Sequence, residues 1–541
     1  MPEPASPNYP NENNDVLAHL DPATFDWPTF LASYTGRALI IRLLHVVNFT
    51  LSSPSPSPSS VALAQTALRR LVPLIKQTFD HNAYLYVMNA LATINSRTQQ
   101  SIEDDSVSGS SSRRGGELDG VPDWDWVEEV KREERKQKGQ LEVELQGYMS
   151  TLIRESIRLS HIALARLASK RGDALSAVNH FIDGREYATG PMQHLEHALG
   201  SLEICLIFNQ PLSLPGHISK LEATLDRALP ASVTRTIEAA HTTALDIRET
   251  REREQRNATL RQSVSLKLRI ARTLVALDNQ DYHFAGRQCC DIIDDDGLGE
   301  YEGHAISSSD VSLIGALCIL ATGRREEMRT KVLDNMAFRA TVDDGSAWVI
   351  DLVTAFVDAR YADVEVLMKK NEWMILLNPF LCPHSKKIQG LVRTKALVQY
   401  TEPFSSVSVH MMSQALGVKP ELLLEDLEKL VEEGRINGKI DLIDGVLQMK
   451  QPDPGHELRM NAIKLGTATN EATRYAILRL KLQEAGITVD PRPPARSAGP
   501  TDSSDPSGPP FYTDVPPEYI EPVPLAISPG FVKRAKGKLP S

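Results

Sequence analysis

Residues 420–449 read PELLLEDLEKLVEEGRINGKIDLIDGVLQM, and this stretch decides how the C-terminal part of the chain folds. Proline suits the first position of a helix, because the N–H that it lacks would have no partner there. Leu423, Leu427 and Leu430 follow at helical spacing and predict a core face. Gly434 then stands where a left-handed residue commonly ends a helix. The first half of the stretch therefore predicts a single amphipathic helix.

The segments on either side complete a recognisable order of elements. Residues 436–442 and 446–449 alternate in strand fashion around Asp444-Gly445, which is a strong signal for a two-residue hairpin. Upstream, residues 388–400 and 407–416 predict two further helices. Three helices followed by a two-stranded antiparallel wing make a winged helix.

The N-terminal part of the chain alternates between helical and low-complexity segments. The first thirty residues are rich in Pro, Asn and Asp, and they predict a mobile arm with order beginning near Phe30. Residues 31–51 and 61–94 have helical spacing, and the insert SSPSPSPSS between them predicts an exposed loop. Residues 99–119 have little to bury and predict a linker.

A spaced pattern in the middle of the chain indicates helical repeats. Small residues and a turn aspartate recur after 108 residues: Ala163, Ala168, Asp173 and Ala177, then Ala271, Ala276, Asp281 and Ala285. Alanines allow two helices to approach closely and the polar turn reverses the chain, so each set predicts a helical hairpin. The offset fits three degenerate units of about 36 residues, close to the tetratricopeptide period. Two unrelated hairpins are the alternative interpretation.

The predicted fold is thus mostly α, a right-handed solenoid of tetratricopeptide-like repeats followed by a winged helix and a C-terminal helix. Seven segments follow: a disordered arm (1–30), an N-terminal helical segment (31–97), a flexible linker (98–122), repeats (123–385), the winged helix (386–450), a C-terminal helix (455–485) and a Pro-rich disordered tail (486–541).

The composition narrows the classes of protein to which the chain can belong. The chain has 541 residues, 41% of them hydrophobic and 24% charged, which is typical of globular proteins. Its longest apolar stretch, residues 311–322, is too short to span a bilayer. Five cysteines in apolar helical contexts predict buried thiols and a reducing compartment, so we expect a location in the cytoplasm and nucleus and no membrane partner.

No catalytic or metal-binding motif stands out in the sequence. His194 and His197 lie three residues apart without a matching third ligand, and they predict a solvated helix face. The neighbours Cys289 and Cys290 point in different directions on a helix and predict structural burial. The sequence therefore predicts no enzyme, no cofactor and no metal site.

Charge on the predicted third helix of the winged helix opposes DNA binding. Residues 420–433 carry a single basic side chain, Lys429, against six acidic ones: Glu421, Glu425, Asp426, Glu428, Glu432 and Glu433. A helix that reads a DNA groove neutralises phosphates with Lys and Arg. We therefore expect no nucleic-acid partner, and a module that binds protein.

The order of helical repeats, winged helix and terminal helix resembles the PCI-domain family of scaffold subunits, found in the proteasome lid, the signalosome and a translation initiation factor. Within that family, the chain resembles the branch of COP-9 signalosome subunit 1. The resemblance rests on these segments: YTGRALIIRLL from Tyr34, DWDWVEEVKREE from Asp123, LIRESIRLSH from Leu152, RGDALSAVNHFIDGREYA from Arg171, DVSLIGALCILAT from Asp310, TKALVQYTEPFSSVSVHMMSQALGV from Thr394 and GRINGKIDLIDGVL from Gly434.

The resemblance implies a non-catalytic scaffold in a complex that removes a ubiquitin-like modifier from cullin-RING ubiquitin ligases. It also implies that the partners are other PCI subunits, that a separate metalloprotease subunit performs the cleavage, and that cullin-RING ligases are reached through the complex. A proteasome-lid or translation-initiation subunit is the alternative.

Two surfaces are the candidates for assembly. Strands 438–442 and 446–449 are expected at a sheet edge that another subunit's wing can extend, which makes these residues candidates: Lys439, Ile440, Asp441, Leu442, Val446, Leu447 and Gln448. A narrow apolar stripe of Ala472, Tyr475, Leu478 and Leu482 predicts a helix that bundles with sister subunits. Packing of this stripe back on the winged helix is the alternative.

Overall fold

The computed structural model describes residues 25–52, 57–103, 121–229, 244–295, 297–343, 345–450 and 454–486. Most of the predicted arm, linker and Pro-rich tail, and the middle of the Ser/Pro insert, lie outside these residues. The chain divides into two compact units, Met1–Gln451 and Pro452–Ser541, and each is described by itself.

Helices make up nearly all of the regular structure. They are α1 Trp27–Ala32, α2 Gly36–Ser52, α3 Pro58–Lys76, α4 His81–Glu103, α5 Trp124–Thr151, α6 Arg154–Arg171, α7 Ala174–Arg185, α8 Pro191–Ile207, α9 Leu214–Ala228, α10 Ala244–Asp278, α11 Tyr282–Asp294, α12 Ser308–Thr322, α13 Arg325–Met328, α14 Met336–Thr341, α15 Trp348–Val357, α16 Tyr361–Lys370, α17 Glu372–Leu377, α18 Ser385–Thr401, α19 Val409–Leu416, α20 Pro420–Glu432 and α21 Pro454–Glu484. The strands are β1 Ser406–Ser408, β2 Gly438–Asp441 and β3 Val446–Met449. In the described part of the chain, no helix combines the length and apolar content that a membrane span requires.

The two predicted hairpins have the same local geometry. Asp173 accepts a hydrogen bond from the backbone N–H of Ser176 at the start of α7, and Asp281 accepts one from Phe284 at the start of α11. The residue before each aspartate has a positive φ, +89° at Gly172 and +64° at Gln280. A left-handed residue ends one helix, and the aspartate caps the next. Both turns therefore reverse the chain by one mechanism, as the sequence predicted.

The spacing between these hairpins differs from the predicted three equal units. Helices α6 and α7 form the first hairpin, α8 and α9 the next, and α10 and α11 the third. The interval of 108 residues thus covers two steps between helix pairs in the described residues. These steps are unequal because α10 has 35 residues, about twice the length of α6 and α8. The solenoid is real, but its period is not 36 residues.

The N-terminal segment begins earlier and is more finely divided than predicted. Helix α1 starts at Trp27, and the Trp27 side chain is buried, so order begins before Phe30. The predicted helix over residues 31–51 is interrupted between Ala32 and Gly36. The Ser/Pro insert contains Pro58, which is the first residue of α3. The Ser57 side chain accepts a hydrogen bond from the backbone N–H of Ser60 and caps this helix.

Two hydrophobic cores hold the first unit together. The larger core runs from α6 to the winged helix, and it contains the Cys289 and Cys290 side chains. The smaller core lies among α1 to α4 and is closed by Leu376, Leu377 and Cys382 from the distant α17 region. All five cysteines are buried and free, as predicted.

The winged helix consists of α18, β1, α19, α20, β2 and β3. Helix α20 begins at Pro420, its three predicted core leucines are buried, and Gly434 has φ +69° at its end, all as predicted. Strand order is β1-β3-β2, with both pairings antiparallel. Strand β1 was not predicted from the sequence, and the loop between β2 and β3 has four residues rather than two.

Lys395 on α18 joins the winged helix to the repeats. Its ammonium group donates hydrogen bonds to the carbonyl oxygens of Leu320, at 2.7 Å, and of Gly323, at the C-terminal end of α12. Burial lowers the pKa of Lys395 to about 8. A cation at a helix C-terminus is favoured by the helix dipole, and here it also pairs carbonyl groups that the helix leaves open.

A buried polar cluster joins the N-terminal helices to the repeats. Arg42 on α2 forms a two-pronged ion pair with Asp310 on α12, and both side chains are buried. The Tyr34 hydroxyl and the Asn378 amide also donate hydrogen bonds to Asp310, each at 2.8 Å. The guanidinium lies 4.1 Å from the centre of the Tyr34 ring. Every buried charge in this cluster therefore has a partner on another part of the chain.

His45 lies one turn after Arg42 and makes a second connection. Its Nε2 donates a hydrogen bond of 2.9 Å to the carbonyl oxygen of Leu376. Burial lowers the pKa of His45 to about 4, the hydrogen bond to Leu376 opposes this shift, and the charge of Arg42 adds to it. The imidazole is therefore neutral in the folded chain at pH 7.

We expect Arg42→Met to lower the free energy of unfolding by about 3–5 kcal/mol, because it leaves the Asp310 carboxylate buried without a counter-ion. Equilibrium urea unfolding, followed by far-ultraviolet circular dichroism, measures the loss. Arg360→Met is the matched control, because Arg360 pairs with Asp358 and Asp363 at an exposed site, where a pair contributes about 0–1 kcal/mol. Equal losses in both variants would contradict a special role for the buried pair.

We expect His45→Gln to reduce the acid sensitivity of the fold. In the unfolded chain His45 takes up a proton near pH 6.5, whereas the folded chain resists protonation down to about pH 4. Its contribution is therefore fully present above pH 6.5 and is lost as the pH falls toward 4, on the order of 3 kcal/mol in all. Urea unfolding at several pH values measures the slope, with the exposed His410→Gln as control. An unchanged slope in His45→Gln would count against this prediction.

Candidate assembly surfaces

Strand β2 forms one of the two outer edges of the small sheet. The backbone N–H of Lys450 bonds to the Asn437 carbonyl oxygen at 2.7 Å, and hydrogen-bonded pairs alternate along an antiparallel ladder. With Gly438 opposite Met449 and Ile440 opposite Leu447, the backbone groups of Gly438 and Ile440 point away from β3. They form an unpaired edge to which another strand can add.

The candidate residues of the wing occupy different environments. On β2, Lys439 is exposed, and Ile440 and Asp441 are half-buried. On β3, Gln448 is exposed, Val446 is half-buried and Leu447 is buried.

The expectation that both wing strands lie at an edge is wrong for β3. This strand is central and pairs with β1 on one side and with β2 on the other, so the backbone groups of Val446, Leu447 and Gln448 are already used. The outer strand β1 was not predicted, because three residues are too few to show an alternating pattern.

The tip of the wing carries an exposed apolar pair that the sequence analysis only partly identified. Leu442, a predicted contact residue, and Ile443 follow β2 in the four-residue loop, and Ile443 is 96% exposed. The Asp441 carboxylate accepts hydrogen bonds from the backbone N–H groups of Ile443 and Asp444 and holds this loop in shape. The tip is therefore a shaped apolar projection beside the open edge.

The acidic surface of α20 faces solvent as predicted. Five of its six acidic side chains are exposed: Glu421, Glu425, Glu428, Glu432 and Glu433. The sixth, Asp426, has an Oδ2 atom 2.8 Å from Nη2 of Arg393 on α18. The exposed face therefore keeps its negative charge, which repels a phosphate backbone.

Helix α21, in the second unit, exposes apolar side chains along its whole length. Tyr475 is 70% exposed and Leu478 is 55% exposed, while Ala472 is exposed and Leu482 is partly exposed. These are the four residues of the predicted stripe. At 100° per residue they lie on one side of the helix.

The apolar surface of α21 is broader than the predicted narrow stripe. Ile477 and Leu480 lie on the opposite side and are 52% and 60% exposed. Further exposed apolar residues precede them: Leu458, Met460, Ile463 and Leu465. A helix with apolar side chains on opposite sides can pack against one neighbour on each side, as helices inside a bundle do. The second side was not predicted, because a stripe at coiled-coil spacing marks only one side of a helix.

The candidate histidines and cysteines lie in surroundings that give them a structural role. The expectation of a solvated face at His194 and His197 is wrong for His197, which is 1% exposed, because α8 packs this side against α7. Burial lowers the pKa of His197 to about 4. Burial also raises the pKa of Cys290 to about 12, which keeps this thiol protonated and unreactive at neutral pH.

Comparison with known proteins gives two family matches. The family described as "26S proteasome subunit RPN7" matches residues 123–331, which comprise helices α5 to α13. The PCI domain matches residues 368–451, which include the whole winged helix.

Several curated relatives match most of the chain. COP9 signalosome complex subunit 1 of Arabidopsis thaliana is 26% identical over 460 residues, covering 84% of this chain and 89% of the relative. Subunit 1b of Drosophila melanogaster is 22% identical and covers 90% of both chains. A 26S proteasome non-ATPase regulatory subunit 6 of Dictyostelium discoideum is 27% identical, but only over 26% of this chain and 37% of its own. The chain therefore contains a PCI domain, and it is similar over most of its length to subunit 1 of the COP9 signalosome.

Proposed function

We propose that this chain is a scaffold subunit of a COP9 signalosome, and that it assembles through its winged helix and α21. The observation that carries the proposal is the exposure of apolar side chains on opposite sides of α21. Such a helix gains stability when neighbouring helices remove these side chains from water. Helices of sister PCI subunits supply that cover.

The wing provides a second contact of a different kind. The open backbone edge of β2 pairs with a strand from another subunit, and the apolar tip at Leu442 and Ile443 contacts the same neighbour. Backbone pairing fixes the register between subunits, whereas the tip adds apolar area. The acidic face of α20 favours a protein neighbour over a nucleic acid.

The scaffold has no catalytic role of its own in this proposal. It supports removal of the ubiquitin-like modifier from cullin-RING ubiquitin ligases, and a metalloprotease subunit elsewhere in the complex performs the cleavage. Its partners are other PCI subunits and, through the complex, cullin-RING ligases. We also propose that it works in the cytoplasm and nucleus, a reducing setting that suits its five buried free cysteines.

A proteasome-lid subunit is the second candidate function, since the RPN7 family matches residues 123–331. The proteasome relatives cover a small part of the chain, whereas the signalosome relatives cover most of it. Affinity purification of the full chain at native salt distinguishes the two, because the co-purifying subunits identify the complex. We expect signalosome subunits. Recovery of proteasome-lid subunits in their place would overturn the proposal.

We expect Tyr475→Asp with Leu478→Asp, and separately Ile477→Asp with Leu480→Asp, to remove the chain from the complex. Loss of two buried apolar side chains costs about 3 kcal/mol or more, which is a hundredfold or more in affinity. Size-exclusion chromatography after co-expression with the sister PCI subunits measures the bound fraction. Thr467→Asp adds a negative charge at an exposed polar position between the two apolar sides of α21, and it should leave binding unchanged. Co-elution of all three variants with the complex would rule out the helix bundle.

We expect Ile440→Pro to weaken assembly more than Ile440→Ala. Both variants lose the same side-chain packing, but only proline removes the outward-pointing N–H of the β2 edge. Native-gel titration of the full chain with its co-purifying PCI neighbour measures the difference, and urea unfolding checks that both variants remain equally folded. If the two variants bind equally well, the wing does not assemble by strand addition.

A further inference from the structure

A group of potential metal ligands lies between the first two helices of the repeats. His161 on α6 faces His180 and Asp183 on α7, and one ligand atom from each residue lies within 4.8 Å of the other two. In the part of the chain that the structure describes, this is the one group of three His, Cys, Asp or Glu side chains that meets this distance. This group was not predicted from the sequence.

The buried member of the group has no other partner. His161 is 5% exposed, and neither of its ring nitrogens makes a hydrogen bond. The Nδ1 atom of His180 also has none. Buried polar side-chain atoms nearly always have a partner in folded proteins, so open nitrogens on two neighbouring imidazoles indicate a ligand. The Tyr187 ring stacks on His161 at 6.0 Å and 14°, and it fixes the plane of the imidazole.

The backbone brings the three side chains together. His180 and Asp183 are three residues apart on α7 and therefore share one side of the helix. Gly184 follows directly, and a Cβ atom at this position would lie 3.0 Å from the Cβ of His161. The absence of a side chain at Gly184 thus allows α7 to approach α6 closely enough for His161 to reach the pair.

Nearby charges are balanced and do not repel a cation. Lys138 lies close to His180, but its ammonium group pairs with Glu142 at 3.6 Å. Arg171 pairs with Glu134 at 2.9 Å and with Asp173. The Asp183 carboxylate, which is exposed, adds a negative charge at the mouth of the group. The charges around the three side chains therefore favour binding of a divalent cation.

We propose that His161, His180 and Asp183 bind a divalent transition metal of the zinc class. Two imidazole nitrogens and one carboxylate oxygen form a donor set that zinc accepts, with bonds of about 2.0–2.2 Å. Ligand atoms of a tetrahedral site stand roughly 3.3 Å apart, so small side-chain rotations close the present spacing. Solvent reaches the Asp183 side and supplies water as the fourth ligand. The metal joins α6 to α7 and stabilises the first helical hairpin.

The test is zinc binding by the full chain, freed of metal with a chelator. We expect isothermal titration with ZnCl2 to give one saturable site, and Co2+ to give the visible absorption bands of a tetrahedral complex. Asp183→Asn and His180→Ala should each weaken zinc binding at least about tenfold, since loss of even an outer-shell partner has effects of this size. At one Zn2+ concentration, the thermal midpoint of the unaltered chain should also rise more than that of Asp183→Asn.

The control is His283→Ala, which removes an exposed histidine 4.0 Å from the Glu327 carboxylate. It should bind Zn2+ as the unaltered chain does. Because Asp183 is exposed, Asp183→Asn should keep the fold, and circular dichroism checks this. Zinc binding that is equal in Asp183→Asn, His180→Ala and the unaltered chain would overturn the proposal. A featureless Co2+ spectrum or an unchanged thermal midpoint would do the same.

Discussion

The ion pair between Arg42 and Asp310 is the interaction on which the rest of the first unit depends. It joins two hydrophobic cores that the chain builds from distant segments, and Asn378 extends the pair toward the residues that close the smaller core. Two charges in an apolar interior tolerate one arrangement, because any shift of α2 along α12 leaves a charge without its partner. The N-terminal helices are thereby held in one position on the repeats, and α17 is held with them.

Sequence signals predicted the parts of the fold that depend on interactions between residues close together in the chain. Pro420 and Gly434 bracket α20 because the first needs no backbone partner and the second tolerates a left-handed backbone. Asp173 and Asp281 mark their turns through side-chain caps that lie within three residues. The break between α1 and α2 was not predicted, because the Tyr34 hydroxyl in this break donates a hydrogen bond to Asp310, which is distant in the sequence. The unequal repeat steps were missed because the length of α10 has no local marker.

The candidate assembly surfaces were predicted only in part, because sequence patterns do not show which elements pack together. A sequence pattern reveals which side of a helix is apolar, and this was enough to select Tyr475 and Leu478. It does not reveal what lies opposite, so His197 was expected in solvent although a neighbouring helix covers it. His161 and His180 come together only when α6 packs on α7, and no spacing rule for metal ligands joins residues in this way. Contacts between helices could therefore not be predicted from the sequence.

The broad apolar surface of α21 has a consequence for the life of the protein in the cell. A copy whose α21 is uncovered exposes apolar side chains on opposite sides of this helix, and a large exposed apolar surface favours aggregation. In the proposed assembly, the contacts that position this chain therefore also protect it from aggregation.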